Sequence, residues 1–250
     1  IAGSYGMMGA SVLAAKAAVR SGAGLVTSHI PKSGYNIIQT TVPESIVSID
    51  ESNEIFTGIK SLENYSAIAI GPGIGVNSQT LKGLVNVVEN AQVPLVIDAD
   101  GLNILSQNKV LLEKLPENTI LTPHPKEFDR LTSEHASHYE RFLDVVKFAQ
   151  KFKVIVLLKG AYTCICSSNG NIWFNTTGNP GMAKGGSGDI LTGMIVSLLA
   201  QGYMPVDAAK IAVYIHGLAG DMALKKKGYH ALTPSDIIER LGKAFKKIEK

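Results

Sequence analysis

Residues 176–193, which read TTGNPGMAKGGSGDILTG, combine glycines with an acidic residue at the start of a predicted helix. Glycine permits backbone turns that other residues resist. The unpaired N–H groups and the dipole of a helix start attract anions. We therefore expect a phosphate group to bind the backbone of residues 186–188, before the apolar helix predicted at 190–200. The segment is not a Walker loop, because no Gly-Lys-Ser or Gly-Lys-Thr follows four free positions.

Asp189 is the candidate for proton transfer in this segment. A carboxylate beside a bound phosphate is unfavourable, because two negative groups repel each other. Such a residue can instead take a proton from a hydroxyl group that attacks the phosphorus. The alternative is a helix N-cap in a non-catalytic protein whose glycines serve packing. A cap alone does not require several glycines, and the sequence therefore favours the phosphate site.

His124 and Glu127 follow the strand predicted at 119–121. Pro123 and Pro125 flank His124 and hold its backbone outside a helix, which makes this histidine a candidate site residue. Glu127 is expected either to hold a hydrated magnesium ion or only to favour the start of a helix.

Lys159, Asp98 and Asp100 stand at the ends of two other predicted strands. Lys159 emerges from an apolar strand, where it either meets phosphate oxygens or is an ordinary surface lysine. Asp98 and Asp100 either orient a ligand or cap a helix at 101–107. Because open α/β sheets bind ligands at the carboxyl ends of their strands, we predict the site at these ends.

Strands and helices alternate along the chain, which predicts an α/β fold with a mostly parallel sheet and helices on both faces. A hairpin is predicted around Asn169–Gly170, a strong turn dipeptide. Thr233 is predicted to cap the last helix, with Pro234 and Asp236 in its first turn. Residues 1–7 are predicted as a strand end with a glycine-rich turn, and residues 31–63 give no clear pattern. Strands are predicted at 25–30, 65–70, 94–98, 119–121 and 154–158, and helices at 8–20, 78–90, 138–152, 206–225 and 234–247.

The composition is that of an ordinary globular protein, with 45% hydrophobic and 18% charged residues among 250. This predicts a single domain over 1–250. The net charge of +3 is too small to argue for nucleic acid, and no segment predicts a membrane span or a signal peptide. Cys164 and Cys166 fit neither a zinc site nor a disulfide framework, and we expect a cytoplasmic protein. Because the chain opens at IAGSYG without methionine, a short N-terminal piece is expected to be missing.

Five pieces occur in one order over nearly the whole chain: GSYGMMGASVLAAKAAVRSGAGLVT, GPGIG, VIDADGLNIL, TPHPKEF with LLKGAYT, and GNPGMAKGGSGDILTGMI. This ordered set resembles the ADP/ATP-dependent NAD(P)H-hydrate dehydratases, a branch of the ribokinase-like superfamily, and implies a ribokinase-like fold. The nearest alternative is a ribokinase-like kinase of a thiazole or hydroxymethylpyrimidine precursor. Such a kinase would share the loop and Asp189 but release a stable phosphate ester. The pieces TPHPKE and GSYGMMGA favour the dehydratase.

The resemblance implies an activity that the residues alone do not show. These enzymes repair the S epimers of NADHX and NADPHX, the hydrated forms of the reduced nicotinamide cofactors. A nucleotide phosphorylates the ring hydroxyl with the help of Mg2+, and elimination of phosphate restores the dihydropyridine. Bacterial members generally use ADP and release AMP, whereas eukaryotic members generally use ATP. The family also implies a homo-oligomer, and many relatives carry an N-terminal epimerase domain.

The resemblance also implies roles for individual residues. Asp189 is expected to be the catalytic base and to contact the hydrated nicotinamide, and Glu127 is expected to organise magnesium through water. The positions expected to contact NAD(P)HX are Ala10, Gly73 and His124. The expected anion hole is the backbone of Gly186, Ser187 and Gly188. The expected nucleotide site consists of Lys159, Gly160, Ala161, Tyr162 and Thr163, together with Gly188.

Overall fold

A computed structural model describes residues 1–249, in which strands and helices alternate as the sequence predicts. The strands are β1 Val26–Ile30, β2 Ser45–Ile49, β3 Ile68–Ile70, β4 Leu95–Ile97, β5 Ile120–Leu121, β6 Ile155–Leu158, β7 Cys164–Cys166 and β8 Ile172–Phe174. The helices are α1 Met8–Arg20, α2 Tyr35–Thr41, α3 Ser78–Asn90, α4 Asp100–Gln107, α5 Pro125–Leu131, α6 His138–Phe152, α7 Ser187–Ala200, α8 Pro205–Ala231 and α9 Pro234–Ile248.

The strands of the described chain form two sheets. One is the parallel pair β1–β2, and the other has six strands in the order β3-β4-β5-β6-β7-β8. Strands β3 to β6 are parallel, and β7 and β8 are antiparallel additions at one edge. The prediction of a mostly parallel sheet is confirmed. The hairpin predicted around Asn169–Gly170 is also confirmed, with Gly170 at a φ of 87°.

Alternate residues of each strand face two different cores. Ile97 and Leu121 belong to a core that includes side chains of α3, α4, α5 and α6. Their neighbours Val96 and Ile120 belong to a second core that includes side chains of α1, α7, α8 and α9. Because successive side chains of a strand point to opposite faces, the sheet is covered on both sides. The predicted placement of helices on both faces is confirmed.

The prediction of a strand end within residues 1–7 is wrong. The backbone of this segment runs between the two sheets and bonds to both: the Ala2 N–H donates to the His29 carbonyl at 3.3 Å, and the Gly71 N–H donates to the Ile1 carbonyl at 3.2 Å. Gly3 then turns at a φ of 83° before a regular ladder can form. Residues 31–63, for which no clear pattern was visible, form α2 and β2.

The last two helices refine the sequence prediction. Helix α8 continues past the predicted end at residue 225 and contains one non-helical residue, Gly228, at a φ of 69°. Helix α9 begins with a capping box, in which Thr233 and Asp236 bond to each other's backbone, and with Pro234 in its first turn. The predicted Thr233 cap is therefore confirmed. Within residues 1–249 no helix has the length and apolarity that a membrane crossing requires.

Cys164 and Cys166 are two residues apart in β7, so their side chains share one face of the strand. Both are buried free thiols. Burial raises the pKa of Cys164 to about 12 and that of Cys166 to about 11. These thiols therefore stay protonated at neutral pH and serve as packing groups.

Helices α1 and α7 pack with their backbones in close contact. A Cβ added at Gly193 would lie 2.1 Å from the carbonyl oxygen of Ala14, which leaves no room for a side chain. Gly186 is similarly close to α1, since its added Cβ would lie 2.5 Å from Cδ1 of Leu13. This close approach brings the start of α7 against α1.

We expect Gly193→Ala to lower the free energy of unfolding by about 1–3 kcal/mol, because the two helices must move apart to admit the methyl group. Gly9→Ala in α1 is the matched control. An added Cβ there meets nothing within 4 Å, so its effect should be neutral or a gain of at most about 1 kcal/mol. Urea unfolding followed by circular dichroism measures both. Equal stability of the two variants would contradict close packing of α1 on α7.

Candidate active site

The carboxyl ends of the parallel strands meet at one edge of the large sheet. The backbone N–H of Lys159, after β6, donates to the Pro123 carbonyl after β5 at 2.8 Å. A Cβ added at Gly71, after β3, would lie 1.9 Å from the carbonyl oxygen of Asp98 after β4. The polar residues that follow these strands are therefore neighbours in space, as the sequence predicts.

Lys159 and Asp98 form a buried ion pair at this edge. The ammonium nitrogen lies 2.8 Å from Oδ1 of Asp98, and the Thr192 hydroxyl donates to Oδ2 at 2.7 Å. Asp98 is only 1% exposed. Burial alone would raise the pKa of Asp98, but the charge and hydrogen bond of Lys159, together with the Thr192 hydroxyl, hold that pKa below its ordinary value. The alternative of an ordinary surface lysine is thus wrong.

Asp98 does not cap the following helix. Helix α4 begins at Asp100, and the residue in the N-cap position is Ala99, which adopts a left-handed φ of 49°. The Asp100 carboxylate instead accepts a hydrogen bond from the Gly75 N–H at 2.9 Å. Of the two alternatives left open by the sequence, the structure excludes the capping role for Asp98 and leaves its carboxylate facing the site.

The start of α7 has the geometry of an anion site. Gly186 occupies the N-cap position at a φ of 97°, which favours glycine. The Ser187 N–H donates to the Lys184 carbonyl at 3.3 Å, and the Ser187 hydroxyl donates to the Met182 carbonyl at 2.7 Å. The N–H groups of the next residues are the ones that a helix start leaves without helical acceptors. A Cβ added at Gly188 would lie 3.3 Å from Nζ of Lys159, so an ammonium group already lies beside these N–H groups.

Asp189 lies in the first turn of α7 but is not its cap, because Gly186 holds that position. Burial raises the pKa of Asp189 to about 6, and the negative charges of Asp98 and Asp100 add to the rise while Lys159 opposes it. At neutral pH the carboxylate is therefore ionised and has the proton affinity of a useful general base. The helix-cap alternative for Asp189 is wrong.

His124 and Glu127 form a capping box at the start of α5. The Glu127 carboxylate accepts from the His124 N–H at 2.8 Å, and Nδ1 of His124 accepts from the Glu127 N–H at 3.3 Å. Burial lowers the pKa of His124. Glu127 therefore does favour a helix start. Its Oε2 also lies 3.8 Å from Nζ of Lys159, the lysine that pairs with Asp98. Among residues 1–249 no three His, Cys, Asp or Glu side chains form a group that would hold a metal ion by itself.

Ala10 and Gly73, two positions expected to contact NAD(P)HX, lie next to each other. A Cβ added at Gly73 would lie 3.1 Å from the Cβ of Ala10. Gly73 also has a left-handed φ of 65°. The loop that contains Gly73 also bonds to Asp100, because the Gly75 N–H donates to the Asp100 carboxylate. Asp100 is in turn one of the charges that act on Asp189, which places the Ala10–Gly73 pair in the same region as Asp189.

Residues 160–163 form the turn from β6 into the hairpin. Thr163 closes it, since its hydroxyl donates to the Gly160 carbonyl at 3.2 Å. Ala161 and Tyr162 are exposed, and the Tyr162 side chain is free to contact a ligand. This turn begins at Lys159 and lies at the same strand end as the α7 start. A role for it in nucleotide binding stays a prediction.

Two residues of the site have no signal in the sequence. Thr192 bonds to Asp98 across 94 positions of sequence. Asp221 of α8 accepts from the Gly178 N–H at 3.0 Å and from the Asn179 side chain at 2.9 Å, and so fixes the beginning of the glycine-rich loop. Both lie within helix patterns, where nothing local distinguishes them from other polar residues.

The sequence profile of the family described as NAD(P)H-hydrate dehydratase matches residues 1–243. The chain belongs to the NAD(P)H-hydrate dehydratase family. It is 36% identical to the bifunctional NAD(P)H-hydrate repair enzyme Nnr of Moorella thermoacetica, with 100% of this chain and 49% of that protein aligned. It is 34% identical to the ADP-dependent (S)-NAD(P)H-hydrate dehydratase of Bacillus subtilis, with 98% and 88% aligned. The chain thus spans about half the length of the bifunctional relatives it matches.

Solved structures confirm the fold of this dehydratase family member. The ADP/ATP-dependent NAD(P)H-hydrate dehydratase of Bacillus subtilis, co-crystallized with ATP/Mg2+ and soaked with CoA, superimposes with a TM-score of 0.86 at 30% identity, over 98% of this chain and 89% of that one. A ribokinase-like superfamily protein from Enterococcus faecalis gives 0.82 at 28%, over 98% and 85%. The predicted ribokinase-like fold is therefore confirmed. A hydroxyethylthiazole kinase from Pyrococcus horikoshii gives 0.65 at 17%, over 92% of each chain, and shares the fold alone.

Asp189→Asn should stabilise the folded protein at neutral pH. Folding raises the pKa of Asp189 from 3.8 to about 6, so the folded state loses stability as pH rises from about 4 to about 6. Above pH 6 the full cost of burying the charge is present, and a neutral amide removes it. Because the side chain is only partly buried, we expect a gain of about 1–2 kcal/mol at pH 7.5 and about a third of that gain at pH 4.5.

Asp236→Asn is the matched control with the opposite sign. Hydrogen bonds from Thr233 and from the Lys227 ammonium lower the pKa of Asp236 to about 2, so its ionised form stabilises the fold above pH 4. Its replacement should cost about 1 kcal/mol at pH 7.5. Urea unfolding at pH 7.5 and pH 4.5 measures both variants. A loss of stability in Asp189→Asn at pH 7.5 would contradict an unfavourably buried charge.

Proposed function

We propose that this chain dehydrates the S epimers of NADHX and NADPHX to NADH and NADPH, in a reaction driven by ADP or ATP. The observation that carries the proposal is the position of Asp189. A carboxylate with a pKa near 6 lies in the first turn of a helix whose start faces an ammonium group. That combination suits deprotonation of a hydroxyl group next to a bound phosphate.

In the first step Asp189 takes the proton of the ring hydroxyl. The hydroxyl oxygen then attacks the terminal phosphorus of the nucleotide, and the bond from that phosphorus to the bridging oxygen breaks. With ADP the leaving group is AMP. The Lys159 ammonium and the N–H groups at the start of α7 oppose the negative charge that spreads over the transferred phosphoryl group.

In the second step the carbon–oxygen bond of the phosphorylated ring breaks and phosphate leaves. The neighbouring ring carbon loses a proton to the departing phosphate, and the new double bond restores the dihydropyridine. The sum is loss of water from the hydrated ring, coupled to hydrolysis of one phosphoanhydride bond. Phosphate is a much better leaving group than hydroxide, which explains why a dehydration consumes a nucleotide.

A magnesium requirement is supported by the charge of the site. Asp98, Glu127 and Asp189 contribute three carboxylates, whereas Lys159 contributes one ammonium, which pairs with Asp98 and Glu127 and acts on Asp189 through its charge. A nucleotide adds further negative charge, so a divalent ion bound to its phosphates would restore balance. Glu127, whose carboxylate is engaged by the His124 backbone, suits a contact through water rather than a direct ligand. When bound, the ion would polarise the phosphoryl group.

The substrate contacts follow from the same arrangement. Ala10 has a small side chain and Gly73 has none, which leaves room for a ring near the carboxylates of Asp100 and Asp189. His124 offers an imidazole that is partly exposed. The turn at residues 160–163 is proposed to hold the nucleotide. A homo-oligomer, a cytoplasmic location and an epimerase domain in the parent protein stay predictions from the resemblance.

The direct test is absorbance at 340 nm while the protein acts on chemically prepared NADHX with Mg2+, with ADP or ATP in separate cuvettes. We expect a nucleotide-dependent rise accompanied by release of free phosphate, and the active cuvette identifies the donor. No rise with either nucleotide in folded protein would overturn the proposal. A phosphorylated thiazole or hydroxymethylpyrimidine as the product would instead support the kinase alternative.

Asp189→Asn should lower turnover by about 10²–10⁴-fold, because the hydroxyl loses its general base. Nucleotide binding, measured by isothermal titration calorimetry, should be retained. In the wild type, kcat/KM should fall as pH decreases through about 6, where Asp189 becomes protonated. Asp207→Asn is the matched control, since Asp207 also lies in the first turn of its helix but is exposed and paired with Lys210. Wild-type turnover in Asp189→Asn would rule out the catalytic role.

A further inference from the structure

We propose that Asp98 is a positioning residue of this site: it holds the Lys159 ammonium at the start of α7, and its buried charge strengthens Asp189 as a proton acceptor. The inference deepens the proposed function and rests on it for its kinetic readout. Its structural readout, the titration of Asp189, does not depend on the reaction.

Each carboxylate oxygen of Asp98 has its own partner on a different element. Oδ1 lies 2.8 Å from Nζ of Lys159 at the end of β6, and Oδ2 accepts from the Thr192 hydroxyl of α7 at 2.7 Å. Asp98 itself directly follows Ile97, the last residue of β4. One carboxylate thus joins two strand ends to the helix that carries Asp189, which fixes its orientation.

The ion pair lies directly against Gly188, the residue before Asp189. A Cβ added there would be 3.3 Å from Nζ of Lys159 and 3.6 Å from Oδ2 of Asp98. Without Asp98, the ion-pair partner left to the lysine within residues 1–249 would be the Glu127 carboxylate, which is farther away at 3.8 Å. Asp98 is therefore the partner that keeps the ammonium close to the anion-binding N–H groups.

The charges that face Asp189 come from three elements. Asp98 at the end of β4 and Asp100 at the start of α4 oppose ionisation of Asp189, whereas Lys159 at the end of β6 favours it. Because Asp98 is 1% exposed, salt and water screen its charge little. Asp98 cannot serve as the base in place of Asp189, since both of its oxygens are engaged and its own pKa lies below its ordinary value.

The test is a titration of the Asp189 carboxyl carbon by NMR in protein labelled with ¹³C aspartate, assigned with Asp189→Asn. In Asp98→Asn, which keeps the shape of the side chain, the midpoint should fall by at least about half a unit because a like charge is removed. In Lys159→Met the midpoint should rise. Thr192→Val is the matched control: it removes the hydrogen bond to Asp98 but leaves the charge, so the midpoint should stay in place.

The acid limb of kcat/KM should move in the same directions as the NMR midpoints. A purely structural role for Asp98 would lower the rate of Asp98→Asn without moving either midpoint, and that result would overturn the inference. If Asp98→Asn does not fold, Asp98→Ser removes the same charge. The midpoint measured in either folded variant decides the test. Absence of turnover in the wild type would sink the proposed function alone, because the titration still decides the role of Asp98.

Discussion

The ion pair between Lys159 and Asp98 is the interaction on which the arrangement of the site depends. Its partners lie 61 residues apart, and the carboxylate is 1% exposed. Removing two charges from water costs more than their attraction returns unless further groups satisfy them. Thr192 and Glu127 supply those groups. The pair can form only if β4 and β6 end at the same edge of the sheet with β5 between them, and only if α7 starts directly against it.

Close packing of helices provides the second requirement. Helix α1 approaches α7 so closely that Gly193 faces a backbone carbonyl, and Gly186 contacts Leu13 of α1. Near the N-terminal end of α1, Ala10 packs against Gly73 in the loop after β3. The small residues of α1 therefore do not cradle a ligand by themselves. They bring the loop that would face the hydrated ring and the helix start that would face the phosphate to one place.

Much of this arrangement is predictable from local sequence patterns, because periodicity, turn residues and caps act over a few positions. The helix at 78–90, the hairpin around Asn169–Gly170 and the Thr233 cap follow from such signals. The partners of Asp98 do not, since Lys159 and Thr192 reach it only through strand order and helix packing. Local patterns also fail in residues 1–7, where backbone bonds to both sheets replace a regular strand.

Three helices show why the role of an acidic residue at a helix start depends on the residue three positions before it. In α5 the Glu127 carboxylate accepts from the His124 N–H, and the His124 side chain accepts from the Glu127 N–H. In α9 Asp236 and Thr233 form the same kind of capping box. In α7 the N-cap is Gly186, in a left-handed conformation and without a side chain. Asp189 therefore forms no capping box. The hydrogen bonds of the cap, together with the Lys227 ammonium, lower the pKa of Asp236 to about 2, whereas burial without such hydrogen-bonding partners raises that of Asp189 to about 6. The glycine that opens the proposed anion site is thus also the reason that the carboxylate beside it forms no capping bond.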